Sequence, residues 1–127
     1  MKPEGVIIRE SPYSVKETID RLQEFLQQHG ATIYARIDQQ NELKKIGQDI
    51  SPLEFIMFGN PKAGGALMAQ NPTIALDLPL KIIAWEDEQN KVWIAYNDAG
   101  YMERRYHLPP TDNTPLNLEK LIAGAMN

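Results

Sequence analysis

The sequence predicts an α+β fold, helices packed on a mainly antiparallel sheet, and three observations carry that prediction. A capped amphipathic helix lies between two short β-type runs near the N-terminus. Two apolar runs, "KIIAWED" and "KVWIAYN", flank a polar turn as the arms of a hairpin do. Helical patterns recur on both sides of that hairpin, so the order reads strand, helix, strand, turn, strand, helix, two hairpin strands, two helices.

"GVIIRE" opens the chain as a short β-type run. Ser14 and Glu17 then make a capping box, each satisfying an orphan amide of the other. Val15, Ile19, Leu22, Phe25 and Leu26 fall at helical spacing as one apolar stripe, and His29-Gly30 ends the helix. In "TIYARID", Ile33, Ala35 and Ile37 alternate with Tyr34 and Arg36, predicting a strand with one apolar face. "QQNELKKIGQDISP" reads as a short helix or turn followed by a loop. "LEFIMFG" is apolar on both faces apart from Glu54 and therefore central in the sheet. In the hairpin, alternation places Ile83, Trp85, Val92, Ile94 and Tyr96 on one face, and Ile82, Ala84, Trp93 and Ala95 on the other. Asp98 caps a helix containing Tyr101, Met102 and Arg105, which must stop near Pro109-Pro110. A last helix is expected over 115–126, with Leu118, Leu121, Ile122 and Ala125 on one side.

At 127 residues the chain fits a single domain, 1–127, large enough to bury a core without metal or disulfide staples. Thirteen Lys and Arg against seventeen Asp and Glu disfavour nucleic acid, whose phosphates are bound mainly by charge. The run "RRYH" reads as a solvated helix face. The absence of cysteine removes thiolate catalysis, disulfides and Cys-bearing metal sites, and accords with a cytoplasmic protein. The apolar piece at 6–8 is far too short for a signal peptide or a membrane span, so no membrane partner is expected. His29 and His107 are the only histidines; one ends a helix and the other a basic run, so no metal and no cofactor is expected. No serine stands in a Gly-x-Ser-x-Gly elbow. Apolar residues on both faces of the hairpin require cover on both, and a homodimer would supply the second. The alternative packs Trp93 and Ala95 under the C-terminal helix.

The stretch "FGNPKAGGALMAQNPTIALDLPLK", residues 58–81, is the surface to suspect. Asn60-Pro61 and Asn71-Pro72 are two helix starts, each with an N-cap and a proline at the first helical position. Such starts present free amides able to hold an anion, and Lys62 sits at one of them. Equally, the asparagines serve only as caps and the glycines as sites of close packing. The stretch is neither a P-loop nor a dinucleotide fingerprint. Asp77, between Leu76 and Leu78, must be paired, hydrogen-bonded or protonated if it is desolvated. It either accepts backbone amides at the bend before Pro79 or pairs with Lys62 or Lys81 in a cleft.

The strings "ARID", "FGNPKAG", "NPTIALDLPLKI" and "VWIAYND", in that order, resemble the bacterial and archaeal family called domain of unknown function 302. The resemblance spans residues 5–108 and implies a compact α+β fold, TT1751-like, often seen as dimers, with no established reaction. The positions that match its motifs are Asp38, Gly59, Asn60, Pro61, Lys62, Gly64, Met68, Pro72, Asp77, Pro79, Lys81, Tyr96 and Asn97. The chain departs from the pattern at Gln39, where many members have His, and at Gly65-Ala66, where many have Thr-Pro. A metal or proton-shuttle role built on that histidine is therefore not carried over.

Three functions follow as expectations. The first is a module binding a small polar or anionic ligand at a cleft between the FGNPK and LDLPLK motifs, through Asn60, Lys62, Asp77, Lys81, Tyr96 and Asn97. The second is an enzyme with Asp77 as acid or base and Lys62 as electrostatic stabiliser. The third is a dimeric structural or interaction module in which the motif residues only stabilise the fold.

Overall fold

Short-range caps set most of the helix boundaries. The computed structural model describes residues 2–109 and 114–127. Its elements are β1 (Val6–Ser11), α1 (Val15–Gln28), β2 (Thr32–Asp38), α2 (Gln39–Lys44), β3 (Leu53–Gly59), α3 (Pro61–Gln70), a 3-10 helix (Pro72–Leu76), β4 (Leu80–Glu86), β5 (Val92–Asn97), α4 (Ala99–Arg105) and α5 (Glu119–Met126). Ser14 accepts from the Glu17 amide at 3.1 Å, but among the described residues the Glu17 carboxylate makes no return bond, so half of the capping box forms. Asn60 accepts from the Lys62 and Ala63 amides at 3.0 and 3.4 Å, Asn71 from Thr73 at 3.2 Å, and Asp98 from Tyr101 at 2.9 Å. Both Asn-Pro pairs thus start helices, as their chemistry requires.

Two boundaries differ from expectation. Helix α4 ends at Arg105, with Tyr106 as its C-cap and His107 at φ 55°, before the expected proline stop; Pro110 lies outside the described residues. Helix α5 begins at Glu119 rather than near 115. The Thr114 hydroxyl and carbonyl take the Leu116 and Asn117 amides, and the Asn117 side chain takes that of Glu119, so a turn occupies the preceding residues.

The strands form one sheet in the order β1-β5-β4-β3-β2, every neighbouring pair antiparallel. On one face Ile56, Phe58, Leu80, Ile82, Ala84, Val92, Ile94 and Tyr96 pack with Val15, Ile19, Leu22 and Leu26 of α1 and with Ile122, Ala125 and Met126 of α5. Each aliphatic side chain so buried is worth about 1.5–3 kcal/mol. The same face holds a polar pair, Ser11 Oγ to Thr18 Oγ1 at 2.6 Å, and an ionic one, Arg36 Nε to Glu54 Oε1 at 3.1 Å.

The hairpin faces are not as alternation alone assigned them. Trp85 opposes Trp93 and Ile83 opposes Ala95 on one face, while Ile82, Ala84, Val92, Ile94 and Tyr96 share the other. The turn is the reason. Asp87 donates its amide to the Lys91 carbonyl, its own carbonyl takes the Asn90 amide, and Asn90 sits at φ 63°; Glu86 is thereby paired with Val92. A slip of one residue moves a whole strand's side chains to the opposite face.

Strand β2 breaks alternation too. Ile33 opposes Phe58 but Ala35 opposes Met57, so a bulge at Tyr34 leaves Ile33 on the helix face and turns Ala35 and Ile37 outward. The outer face therefore carries Ile8, Phe55, Met57, Ile83, Trp85, Trp93 and Ala95 beside them, and none of these joins the core cluster. The expectation that Trp93 and Ala95 pack under the C-terminal helix does not hold. Helix α5 lies against α1 on the opposite face, Gly124 meeting Phe25.

Candidate functional site

Strand β3 ends at Gly59, Asn60 caps α3, and the chain returns through the 3-10 helix and a cis Leu78–Pro79 peptide into β4. The two quoted motifs therefore flank a common space. It is an open hollow of about 410 Å³, with Phe58 through Pro61 on one side and Leu78 through Leu80 on the other. Leu26 and His29 at the end of α1, Tyr34 of β2, and Leu116, Leu118 and Leu121 near α5 complete its wall. Helix α3 buries none of its residues fully, and Ala63, Gly64, Leu67 and Met68 line the hollow. Its inner side faces the hollow, with Leu67 also touching the edge of the core.

The wall is apolar except at a few positions. Asn60 Oδ1 is used in capping, so Nδ2 is the group its side chain has left. The Tyr34 hydroxyl has no hydrogen-bond partner among the described residues, and that side chain is 51% exposed. His29 Nδ1 donates to the Phe25 carbonyl at 2.8 Å, which fixes the proton there and leaves Nε2 as the other ring nitrogen. The bulge turns Tyr34 toward the mouth, a placement that no strict alternation predicts.

The six residues expected to bind ligand lie in separate places. Asn60 lines the hollow, and Lys62, one residue past the lining Pro61, is exposed and has no ion pair among the described residues. Lys81 is on the outer face, its ammonium 4.6 Å from the centroid of the Phe55 ring. Tyr96 and Asn97 line a smaller polar hollow of about 220 Å³ with Asp98 and Glu119.

Asp77 answers to neither account given for it. Its carboxylate accepts the Tyr106 hydroxyl and pairs with Arg105 Nη1 at 3.2 Å. The pairing with Lys62 or Lys81 is not made, and among the described residues no backbone amide is bonded to its side chain. The 3-10 helix turns Asp77 toward the end of α4, where Tyr106 is 6% exposed; burial first, then the Asp77 carboxylate, raise the Tyr106 pKa. The run "RRYH" is accordingly no plain solvated face, since it supplies both partners of Asp77. Among the described residues no three of His, Cys, Asp and Glu come together as a metal site.

Comparison with known proteins adds the family. The chain is 39% identical over 104 residues to a protein called fluoride-specific ion channel FluC 1 of Brucella suis biovar 1 (strain 1330), covering 82% of this chain and 41% of that one. A protein of the same name from Brucella abortus biovar 1 (strain 9-941) is 39% identical over 104 residues, covering 82% and 38%. The chain thus spans about two-fifths of the length of these curated relatives. Among the described residues no helix is long and apolar enough to cross a membrane. A crystal structure of an uncharacterized conserved protein DUF302 from Bacillus stearothermophilus superposes with a TM-score of 0.79 at 19% identity, covering 98% of this chain and 97% of that one, a likeness of fold. Residues 7–125 match the family described as Domain of unknown function DUF302. With that match over nearly the whole length, and a five-stranded antiparallel sheet backed by helices, the chain belongs to the DUF302 family.

Proposed function

We propose that the domain binds a small molecule in the hollow between segments 58–62 and 76–81. One observation carries this: α3 buries none of its residues fully, and its apolar Ala63, Leu67 and Met68 line an open hollow that no described side chain fills. Concave, mainly apolar sites with few polar groups are where small ligands are held. The polar or anionic ligand expected from the motifs is thereby narrowed, because the buried part of the ligand must be apolar and its polar atoms can be met only at the mouth. Catalysis by Asp77 is less favoured, since Tyr106 and Arg105 already hold that carboxylate. Screening a fragment panel by methyl NMR tests the proposal. Binders should shift the Leu67, Leu78 and Leu121 methyls together, and Leu67→Trp, which fills the space, should abolish those shifts. A panel that moves none of these methyls would refute it.

A second reading, a homodimer through the outer sheet face, is favoured by a separate observation. A folded monomer of 14.4 kDa exposes roughly 6,800 Å² by mass scaling. This chain exposes 7942 Å². The excess, roughly 1,100 Å², is larger than the roughly 800 Å² each partner buries in an ordinary stable interface. The face centred on Ile83, Trp85, Phe55 and Trp93 is apolar, and a second copy would cover it by two-fold symmetry. Light scattering should give twice the chain mass, and Trp85→Glu should halve it with the fold retained. A wild-type mass equal to one chain across a wide concentration range would sink the dimer.

A further inference from the structure

We infer that the ligand of the hollow is an amphipathic carboxylate, its apolar tail against α3 and its carboxylate at the mouth beside Asn60 and Tyr34. The inference rests on the reading of the hollow as a ligand site and adds the chemical class.

Hydrogen-bond bookkeeping at the mouth carries it. Several of the acceptors there are already used. Asn60 Oδ1 takes two amides, and the last carbonyls of α1 take the amides of His29, Gly30 and Ala31. The groups left over donate. Asn60 Nδ2 has two protons and no partner among the described residues, and the Tyr34 hydroxyl is likewise free to donate. His29 Nε2 accepts when the ring is neutral and donates when it is charged, so it does not decide the matter. Among the described residues no Asp or Glu lines the hollow. The nearest acid in sequence to the lining Leu78, Asp77, is held by Arg105 and Tyr106. Lys62 brings an ammonium that has no ion pair among the described residues next to the lining residues Pro61 and Ala63. An anion at this place meets free donors and the Lys62 charge, whereas an ammonium meets no carboxylate among the described residues and, of the side chains, only the Tyr34 hydroxyl and neutral His29 as acceptors. A carboxylate, which only accepts, is the head that fits.

Octanoate, octanol and octylammonium share a tail and differ in the head, so calorimetric titration of the wild type with each separates head from body. Octanoate should bind at least about tenfold more tightly than octanol, with octylammonium weakest. Asn60→Asp keeps the helix cap, because Asp and Asn cap about equally, but replaces the donor by a negative charge. It should weaken octanoate at least about tenfold and octanol much less, since a hydroxyl carries no charge and can donate to the new carboxylate, with the melting temperature unchanged. Octanol binding as tightly as octanoate, or octanoate binding unaffected by Asn60→Asp, would overturn the carboxylate and leave the hollow as a ligand site. If none of the three binds, or if Leu67→Trp leaves octanoate binding intact, the hollow itself is not the site and the inference falls with it.

Discussion

Replacing Arg36 by Met tests the ion pair it makes with Glu54 on the helix face of the sheet. Arg36 donates from Nε to Glu54 at 3.1 Å, and from Nη1 to Asp20 at 2.7 Å and Gln23 at 3.2 Å. Methionine keeps an apolar stem of similar reach, so the change removes charge and donors more than packing. The two legs differ in weight. The Asp20 side chain is 45% exposed, and its share is at most about 1 kcal/mol because water screens it. The Glu54 side chain is 10% exposed and has no second ionic partner among the described residues, so the variant leaves a carboxylate stranded in the core, a loss of about 3–5 kcal/mol. Urea unfolding at neutral pH should therefore show a midpoint shifted by that loss with an unchanged slope. Arg36→Met combined with Glu54→Leu should be closer to wild type than Arg36→Met alone, as removing both ions of a buried pair is nearly neutral. A single-variant loss under about 1 kcal/mol, or a double variant no more stable than the single, would refute the reasoning.

Three further outcomes follow from contacts described above. Asp77→Asn should cost about 0.5–1.5 kcal/mol and Asp77→Ala about 1–3, because only the alanine leaves the Tyr106 hydroxyl without an acceptor; neither should alter binding in the hollow, and lost binding at unchanged stability would contradict this assignment. Gly65→Ala meets nothing within 4 Å and should stabilise by about 1 kcal/mol in thermal unfolding, whereas the same change at Gly124 puts a methyl 2.9 Å from Phe25 Cε2 and should be about 1–3 kcal/mol worse than its counterpart. The Asp87 pKa lies below the ordinary 3.8, held down first by the Trp93 indole and then by the Lys91 amide, so the indole bond persists above that range and is lost as pH falls through the depressed value. Trp93 emission, read in a Trp85→Phe background, should change only below pH 3.8; a transition at or above it would refute the bond.

What could be read before folding was whatever lies within a few residues. Ser14, Asn60, Asn71 and Asp98 act on amides two or three positions away, so the starts of four helices were legible with their mechanism. Register was not. A left-handed Asn90 and one extra residue at Tyr34 each shift a strand by a single place, and alternation assigned Trp85 and Ile33 to the wrong companions. The candidate site was half visible. Both motifs do line one hollow, yet attention went to charges such as Lys81 and Asp77, whose partners Phe55 and Tyr106 lie 26 and 29 residues away. Leu67, Leu116 and Leu121 carried no signal, because an apolar residue that lines a void is spelled like one that fills a core.

The bulge at Tyr34 bears on how copies of this chain avoid one another. Strand β2 is an outer strand, and such a strand offers a row of unsatisfied backbone groups to any passing chain. The extra residue breaks that row after Ile33, so the border is kinked where a straight one would template the growth of fibrils. Deleting Tyr34 would straighten the border, and the aggregation it invites would come from geometry, with the net charge of the chain untouched.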